Sequence, residues 1–262
     1  MSDISFDKEG KIAVITLNRP EVRNAFTIEM VRQWADALEE YRRDDSVDVV
    51  VLTGAGQRAF CSGIDLNALQ GMREFKSIKS KSILWDVIHQ VAFALERLDK
   101  PMICAVNGAA LGAGMDMALM CDIRFASENA SFAEGYIKFA LVPGDGGAYF
   151  LPRIVGMAKA LELLWTGDLI SAQEAKEFGI VNRIISAKEL MPRTMEFAER
   201  LSNSPKIAIR MIKRAVYQSQ NCDLRTALDL ISSHMVIVHD TKDHEEALSA
   251  IMEKRTPHFT GS

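Results

Sequence analysis

Residues 106–116 read VNGAALGAGMD and decide how the centre of the chain folds. They follow the apolar run Met102–Val106, which predicts a short buried strand, and they lead into a predicted helix that begins near Leu111. Backbone N–H groups at the start of a helix lack partners within the helix, and the helix dipole favours negative charge there. The stretch therefore predicts a strand, a glycine-bearing turn and a helix start that can hold an electron-rich atom.

A second glycine-bearing stretch, residues 53–66 with the sequence TGAGQRAFCSGIDL, also follows an apolar run. As a dinucleotide-binding fingerprint it is weak, because Gly54 and Gly56 lack a third glycine at the required spacing. Two such turns after neighbouring strands can direct two N–H donors at one oxygen, which is the construction of an oxyanion hole.

Working outward, short apolar strands alternate with helices, which favours right-handed crossovers and a mainly parallel sheet in an α/β fold. An N-terminal hairpin precedes this pattern, and the chain beyond Ala158 reads as almost wholly helical apart from a brief strand at 180–185. The predicted strands are 11–17, 47–52, 102–106 and 123–126, and the predicted helices begin at Thr27, Leu84 and about Leu111.

Composition excludes several classes of function. The 262 residues are 48% apolar with a net charge of -4, which gives no general attraction to nucleic acid or to an anionic membrane. The N-terminus is polar and acidic, and no apolar stretch approaches the ~20 residues of a membrane span, so we expect a cytoplasmic protein. The four cysteines form no CxxC pair, so we expect reduced thiols and no metal site.

Seven segments, taken in order, resemble the crotonase superfamily, the enoyl-CoA hydratase/isomerase family, over nearly the whole chain. They are Asn18-Arg19-Pro20 with Asn24-Ala25, AFCSGIDL at 59–66, the turn at 108–116, CDIRFAS at 121–127, PGDGG at 143–147 with LPR at 151–153, TGDLISAQEAKEFGIVN at 166–182, and EKRTPHF at 253–259.

The resemblance implies an α/β fold built as a spiral of β-β-α turns. It implies that residues 1–200 form a core that binds acyl-CoA and that residues 201–262 form a helical oligomerisation region. A homotrimer, or a homohexamer made as a dimer of trimers, is the expected assembly. Neither a metal nor a redox cofactor is implied, since coenzyme A enters as part of the thioester substrate.

The resemblance also assigns site residues. The oxyanion donors would be the backbone N–H groups of Cys61 and Ala113, which would stabilise an enolate of the thioester. Arg23 and Lys254, or its neighbour Arg255, could meet CoA phosphates or could be surface cations, and Phe259 could lie against the adenine of a neighbouring subunit or pack at a subunit contact. The remaining CoA-binding residues would be Ala25, Ala59, Ser62, Gly63, Ile64, Asp65 and Leu66. The residues that would fall in or near the acyl tunnel, or would equally be core or lid residues, are Met72, Phe75, Ile78, Ile83 and Trp85.

At the two positions where hydratases of this family carry glutamates, the chain has Asp116 and Tyr136. A phenol with an ordinary pKa of about 10 is a poor base, although it can donate a hydrogen bond. Asp145 could be catalytic or could cap the following helix, and burial would raise its pKa in the first case. Glu134 could reach the site only if its loop differs from the path in the family, and it is otherwise expected to face solvent.

The leading hypothesis is isomerisation or hydration of an enoyl-CoA through an enolate, with a carboxylate moving the proton. The alternatives are hydrolysis of a C–C or thioester bond, with Asp145 or Asp116 directing water, and a non-catalytic CoA-binding relative.

Overall fold

The structure is a computed structural model that describes residues 2–65, 68, 70 and 77–262. Leu66, Met72 and Phe75, which the resemblance assigns to the CoA channel or the acyl tunnel, lie outside the described residues.

The strands form two sheets, one large and one small. The large sheet has the order β1-β2-β3-β5-β7-β10; its first pair is an antiparallel hairpin, and every later pair is parallel. The strands are β1 (Ile4–Glu9), β2 (Ile12–Leu17), β3 (Val49–Gly54), β4 (Ala59–Cys61), β5 (Met102–Val106), β6 (Ala109–Leu111), β7 (Ile123–Ser127), β8 (Ser131–Ala133), β9 (Ile170–Ser171) and β10 (Arg183–Ile185).

The helices follow the strands in the alternation that the sequence predicts. Within the described ranges the α-helices are α1 (Ile28–Arg43), α2 (Ser77–Ile83), α3 (His89–Arg97), α4 (Ala113–Leu119), α5 (Gly147–Val155), α6 (Met157–Thr166), α7 (Ala172–Glu177), α8 (Leu190–Ser202), α9 (Lys206–Ser219), α10 (Leu224–His239) and α11 (Lys242–Glu253). A π-helical turn, Leu84–Ile88, connects α2 to α3, and Gly135–Phe139 forms a 3₁₀ helix.

The predicted hairpin, the parallel sheet and the start of α1 are confirmed. Thr27 caps α1 by accepting a hydrogen bond from the Met30 N–H at 3.2 Å, which satisfies one of the free donors of the first turn. The predicted strand at 180–185 is shorter in the structure, where β10 begins at Arg183.

Strand β3 is buried at every position because helices cover both faces of the large sheet. Side chains alternate across a strand, so Val50 and Leu52 belong to the same core cluster as Trp34 of α1, whereas Val49 and Val51 belong to a second cluster with Ala198 of α8. Burial of each such aliphatic side chain stabilises the fold by ~1.5–3 kcal/mol.

The small sheet, with the order β4-β6-β8-β9, carries the functional turns. Its strands β4, β6 and β8 pair in parallel and are only three residues long, which is too short for a hydrophobic period to predict. This sheet places the end of β4 beside the turn from β6 into α4.

The C-terminal helices α9, α10 and α11 expose a row of large apolar side chains. No residue of α9 is buried, and α10 buries only Ala227. The apolar side chains exposed on these helices are Ile212, Val216, Leu224, Leu228, Ile231, Met235, Val236, Ile237, Leu248, Ile251 and Met252.

Candidate active site

The two glycine-bearing turns lie against each other, as the sequence predicts. A methyl group built on Gly114 would overlap the Cys61 carbonyl group, so only glycine allows α4 to approach the end of β4 this closely. Gly63 adopts a φ of +98°, and a methyl group there would lie 3.8 Å from the Ala113 nitrogen. The turn after β4 is therefore in contact with the first residue of α4.

Backbone N–H groups beside the expected oxyanion donors are already used. The Ser62 N–H donates to the Arg23 carbonyl at 3.1 Å, and the Gly112 N–H donates to the Ala133 carbonyl at 2.7 Å. Ala113 is the first residue of α4, where an N–H group has no acceptor within the helix.

Asp116 lies one turn into α4, is completely buried, and meets two other predicted site residues. The Tyr136 hydroxyl lies 2.7 Å from Asp116 Oδ2 and 2.7 Å from Asp145 Oδ2. A phenol has one proton to donate, so the second short contact requires a proton on one of the two carboxyl groups. The structure thus joins Asp116, Tyr136 and Asp145 through one shared hydroxyl oxygen.

The alternative role of Asp145 as a helix cap is wrong. Helix α5 begins after Gly146, which has a φ of +123°, and no side chain caps that helix. The Asp145 carboxyl points instead at Tyr136 because this glycine turns the chain between Asp145 and the helix.

The expectation that Glu134 faces solvent is also wrong. Glu134 follows β8 directly, is only 1% exposed, and has its carboxyl group beside that of Asp116. A methyl group on Gly147 would lie 2.9 Å from Glu134 Oε1 and 3.0 Å from Oε2, and closer still to Asp116 Oδ1. The side chain fits there because Gly147 leaves the space open, which no local pattern around residue 134 indicates.

Burial governs the protonation of these groups. Burial first, and then the charge of Asp145, raise the pKa of Asp116 to about 7, while the hydrogen bond from Tyr136 opposes the shift. Burial raises the pKa of Asp145, against the Tyr136 hydrogen bond and the nearby His89. Burial and the two aspartates raise the pKa of Tyr136 well above its ordinary value, so its phenol acts as a donor and not as a base.

The acidic residues are close to the Cys61 turn. Burial raises the pKa of the Cys61 thiol to about 12, and the charge of Asp145 adds to the shift. The thiol therefore stays protonated and serves no nucleophilic role. A methyl group on Gly112, which precedes α4, would lie 3.8 Å from the Tyr136 ring.

The structure brings most of the predicted CoA-binding residues together. The Phe26 N–H donates to the Gly63 carbonyl at 3.0 Å, the Asp65 N–H donates to the Phe26 carbonyl at 2.9 Å, and Ile64 bridges to Phe26. These bonds, with that between Ser62 and Arg23, align residues 23–26 with residues 62–65. In this way Arg23 and Ala25 lie next to Ser62, Gly63, Ile64 and Asp65, just after Ala59.

Two polar residues hold this arrangement. The buried Asn24 donates from Nδ2 to the carbonyls of Ala55 and Ala59, each at 2.9 Å, and Arg19 pairs with the Asp65 carboxylate at 3.0 Å. In the sequence Asn24 and Arg19 are recognisable only as part of a family motif, and no local pattern predicts these structural roles. Lys254 is the C-terminal cap residue of α11 and Phe259 lies beyond that helix, and their part in CoA binding stays a prediction.

The segment before α3 covers the Asp145 loop. His89 Nε2 makes a hydrogen bond of 2.8 Å to the Gly144 carbonyl, and Leu84 lies against Gly144. Trp85 is 57% exposed and packs edge-on against Phe93. Of the expected tunnel residues within the described ranges, Ile78 is exposed and Ile83 is half-buried.

Over the residues that the structure describes, no cluster of three or more His, Cys, Asp or Glu side chains is arranged to hold a metal ion. In the same residues, no helix has the length and apolar character needed to cross a membrane.

Comparison with known proteins agrees with this architecture. The family model described as enoyl-CoA hydratase/isomerase matches residues 7–262. A short-chain-enoyl-CoA hydratase of Clostridium acetobutylicum is 36% identical over 256 residues, covering 97% of this chain and 96% of the relative. A 1,2-epoxyphenylacetyl-CoA isomerase of Escherichia coli is also 36% identical, over 253 residues, with the same coverage.

Solved structures match equally well. The crystal structure of an enoyl-CoA hydratase from Bacillus anthracis superposes with a TM-score of 0.93 at 35% identity and covers 100% of both chains. The expected fold class and the resemblance are thereby confirmed. The chain belongs to the enoyl-CoA hydratase/isomerase family and is an acyl-CoA enzyme of that type.

Proposed function

We propose that the chain moves a double bond within an enoyl-CoA, with Asp116 and Asp145 as the proton-transferring carboxyls and Tyr136 as the donor between them. The observation that carries this proposal is the Tyr136 hydroxyl, which lies 2.7 Å from each aspartate. Since both carboxylate oxygens contact one atom, they are no further apart than twice that distance. Two carboxyl groups can then serve the α- and γ-carbons of one acyl chain, between which the proton is moved.

The chemistry needs one enolate and one returned proton. An ionised aspartate removes a proton from the acyl chain, the electron pair moves onto the thioester oxygen, and the backbone N–H groups of Cys61 and Ala113 stabilise that oxygen. Return of a proton to a different carbon shifts the double bond and leaves the mass unchanged. Because proton transfer alone balances this reaction, it requires no metal or redox cofactor, and CoA takes part only as the substrate's carrier.

Two features favour isomerisation over hydration. Hydration requires a base for water in addition to the group that handles the α-proton; Tyr136 stands where the second hydratase glutamate would be, so Asp145 would have to take over that task from a different position. Its raised pKa makes it unfit as that base. Asp116, with its pKa raised to about 7, can both accept and donate a proton near neutral pH.

The test is to incubate the protein with a β,γ-enoyl-CoA and with its conjugated α,β isomer, and to follow mass and ultraviolet absorbance. Isomerisation gives interconversion at constant mass. Gain of one water would overturn the proposal in favour of hydration, and release of free CoA or of a cleaved acyl chain would overturn it in favour of hydrolysis. Asp116→Asn should lower the rate of this reaction. Asp168→Asn makes the same change at an exposed aspartate and is the matched control.

We propose in addition that residues 201–262 assemble the chain into a homotrimer, or into a hexamer of two trimers. The support is the apolar row on α9, α10 and α11, in which Ile251 is 74% and Met252 77% exposed. Monomeric proteins rarely expose so extended an apolar surface to water. Light scattering of the wild type and of Ile251→Asp tests this: a wild-type monomer, or an unchanged mass in the variant, would contradict it.

A further inference from the structure

Glu134 is a buried carboxyl that the proposed reaction leaves without a role. Its side-chain oxygens and Asp116 Oδ1 all surround the Cα atom of Gly147, where a methyl group would be at most 3.0 Å from each of them. Tyr136 meets the other Asp116 oxygen, Oδ2. Glu134 therefore lies on the side of Asp116 opposite to the hydroxyl bridge.

The hydrogen bonds of this pair are incomplete if both groups are ionised. Counted as carboxylates, Asp116 Oδ1 and both Glu134 oxygens are buried and accept no well-formed hydrogen bond from the described residues, and the nearby Gly147 N–H is the weakest of the effects on the Asp116 pKa. Buried acceptors without donors are costly, and two adjacent buried negative charges add repulsion. One proton on Glu134 removes the repulsion and supplies a donor for Asp116 Oδ1.

We propose that Glu134 is a positioning residue that carries this proton and donates a hydrogen bond to Asp116 Oδ1. This inference rests on the proposed role of Asp116 as the base. The hydrogen bond orients the Asp116 carboxyl, stabilises its ionised form and leaves Oδ2 for Tyr136 and the reacting proton.

The surroundings of Glu134 determine the pH at which it loses its proton. The ionisable groups that face Glu134 are Asp116 from α4 and Asp145 from the loop before α5, and both are acids. Burial first, and then the charge of Asp116, raise the pKa of Glu134 far above its ordinary range. Glu134 thus keeps its proton at neutral pH and loses it only in alkaline solution, where a second negative charge beside Asp116 would disturb the site.

Two nearly isosteric variants separate a proton-carrying role from a packing role. Glu134→Gln keeps a neutral donor, whereas Glu134→Met fills the space without one. We expect turnover of the Gln variant within about threefold of wild type and a loss of about tenfold to a hundredfold in the Met variant, the range for a lost hydrogen bond to a charged group. The Met variant should also need a higher pH for activity, because Asp116 ionises less easily without its donor.

The measurement is exchange of acyl protons for deuterium in D₂O across the pH range, with Glu9→Gln as the exposed control. The alkaline fall in the wild-type rate should be absent from Glu134→Gln. Equal rates for the Gln and Met variants, or an alkaline fall that persists in the Gln variant, would overturn the inference.

The same experiment separates this inference from the proposed function. Deuterium exchange reports enolate formation whether the product is an isomer or a hydrate. A wild type that adds water refutes the isomerase proposal while the Glu134 comparison keeps its meaning. A wild-type isomerase whose Glu134→Gln and Glu134→Met variants exchange at equal rates refutes the Glu134 inference alone.

Discussion

The two ends of helix α4 bury charged groups in opposite ways. Beyond its C-terminal end, Arg124 donates from Nε to the Ile180 carbonyl at 2.6 Å and from Nη1 to the Cys121 carbonyl and to carbonyls of the last turn of α4. Toward its N-terminal end, Asp116 and Glu134 have buried carboxyl oxygens that accept no well-formed hydrogen bond from the described residues. Arg124 thus has carbonyl acceptors on several sides, whereas the carboxyl groups of Asp116 and Glu134 lie beside each other.

The difference indicates that the charge of Arg124 has a structural role, whereas the acids are groups that can exchange protons. Backbone carbonyls that are fixed by the fold compensate Arg124, and the negative end of the α4 dipole favours its charge. The acids can lower their energy only by holding protons, so their pKa values move toward the range in which protons are exchanged with a substrate. A charge with a fixed structural role therefore lies beside one end of α4, and titratable groups lie toward the other.

The largest expected effect is on turnover. Asp116→Asn should lower kcat by a factor of about 10² to 10⁴, with little change in acyl-CoA affinity, because the base acts only as the proton moves. Initial rates and calorimetric binding measure the two quantities. A parallel loss in rate and affinity would show that Asp116 supports the site structurally, as Arg124 does.

The next effect is on stability at the opposite end of α4. Arg124→Met should lower the free energy of unfolding by about 3 kcal/mol, because several buried carbonyls lose their donor. Urea unfolding measures this change. Turnover per folded molecule should stay near the wild-type value, and a selective loss of turnover at full stability would contradict the contrast between the two ends.

A smaller effect is the pH dependence of stability. Because burial raises the folded-state pKa of Glu134, its stabilising contribution is complete below the unfolded pKa of ~4.3 and is lost as pH rises toward the folded value. Glu134→Gln lacks this loss, so its stability relative to wild type should grow as pH rises from ~4.3 toward the folded pKa of Glu134. Thermal unfolding from acid to alkaline pH tests the trend, which a constant difference would contradict.

The smallest effect is a displaced pH–rate profile. Activity that needs ionised Asp116 should rise through about pH 7. The charge of Asp145 raises the pKa of Asp116, so Asp145→Asn should move this rise to lower pH by up to about one unit, whatever its effect on the maximal rate. A rise that stays at the wild-type pH would mean that Asp145 is already protonated, and so uncharged, in the free enzyme.

The sequence predicts some elements of the fold better than others. The spacing of apolar residues is enough to predict β2, β5 and the Thr27 start of α1, because these elements depend on local periodicity and capping. The order and spacing of the motifs are enough to predict the family. The sequence also shows that Tyr136 replaces a glutamate of the family's hydratases. The strands of the small sheet are too short to carry a period of their own, so only pairing with neighbouring strands defines them.

The sequence by itself determined the α/β class, the two contacting glycine turns and the candidacy of Asp116, Tyr136 and Asp145. Only the tertiary structure decided that Asp145 shares the Tyr136 hydroxyl instead of capping α5, and that Glu134 is buried against Asp116. The physical reason is that local rules describe what a residue can do with its chain neighbours. Which side chain fills the space beside Gly147 depends on β8, α4 and α5 meeting there.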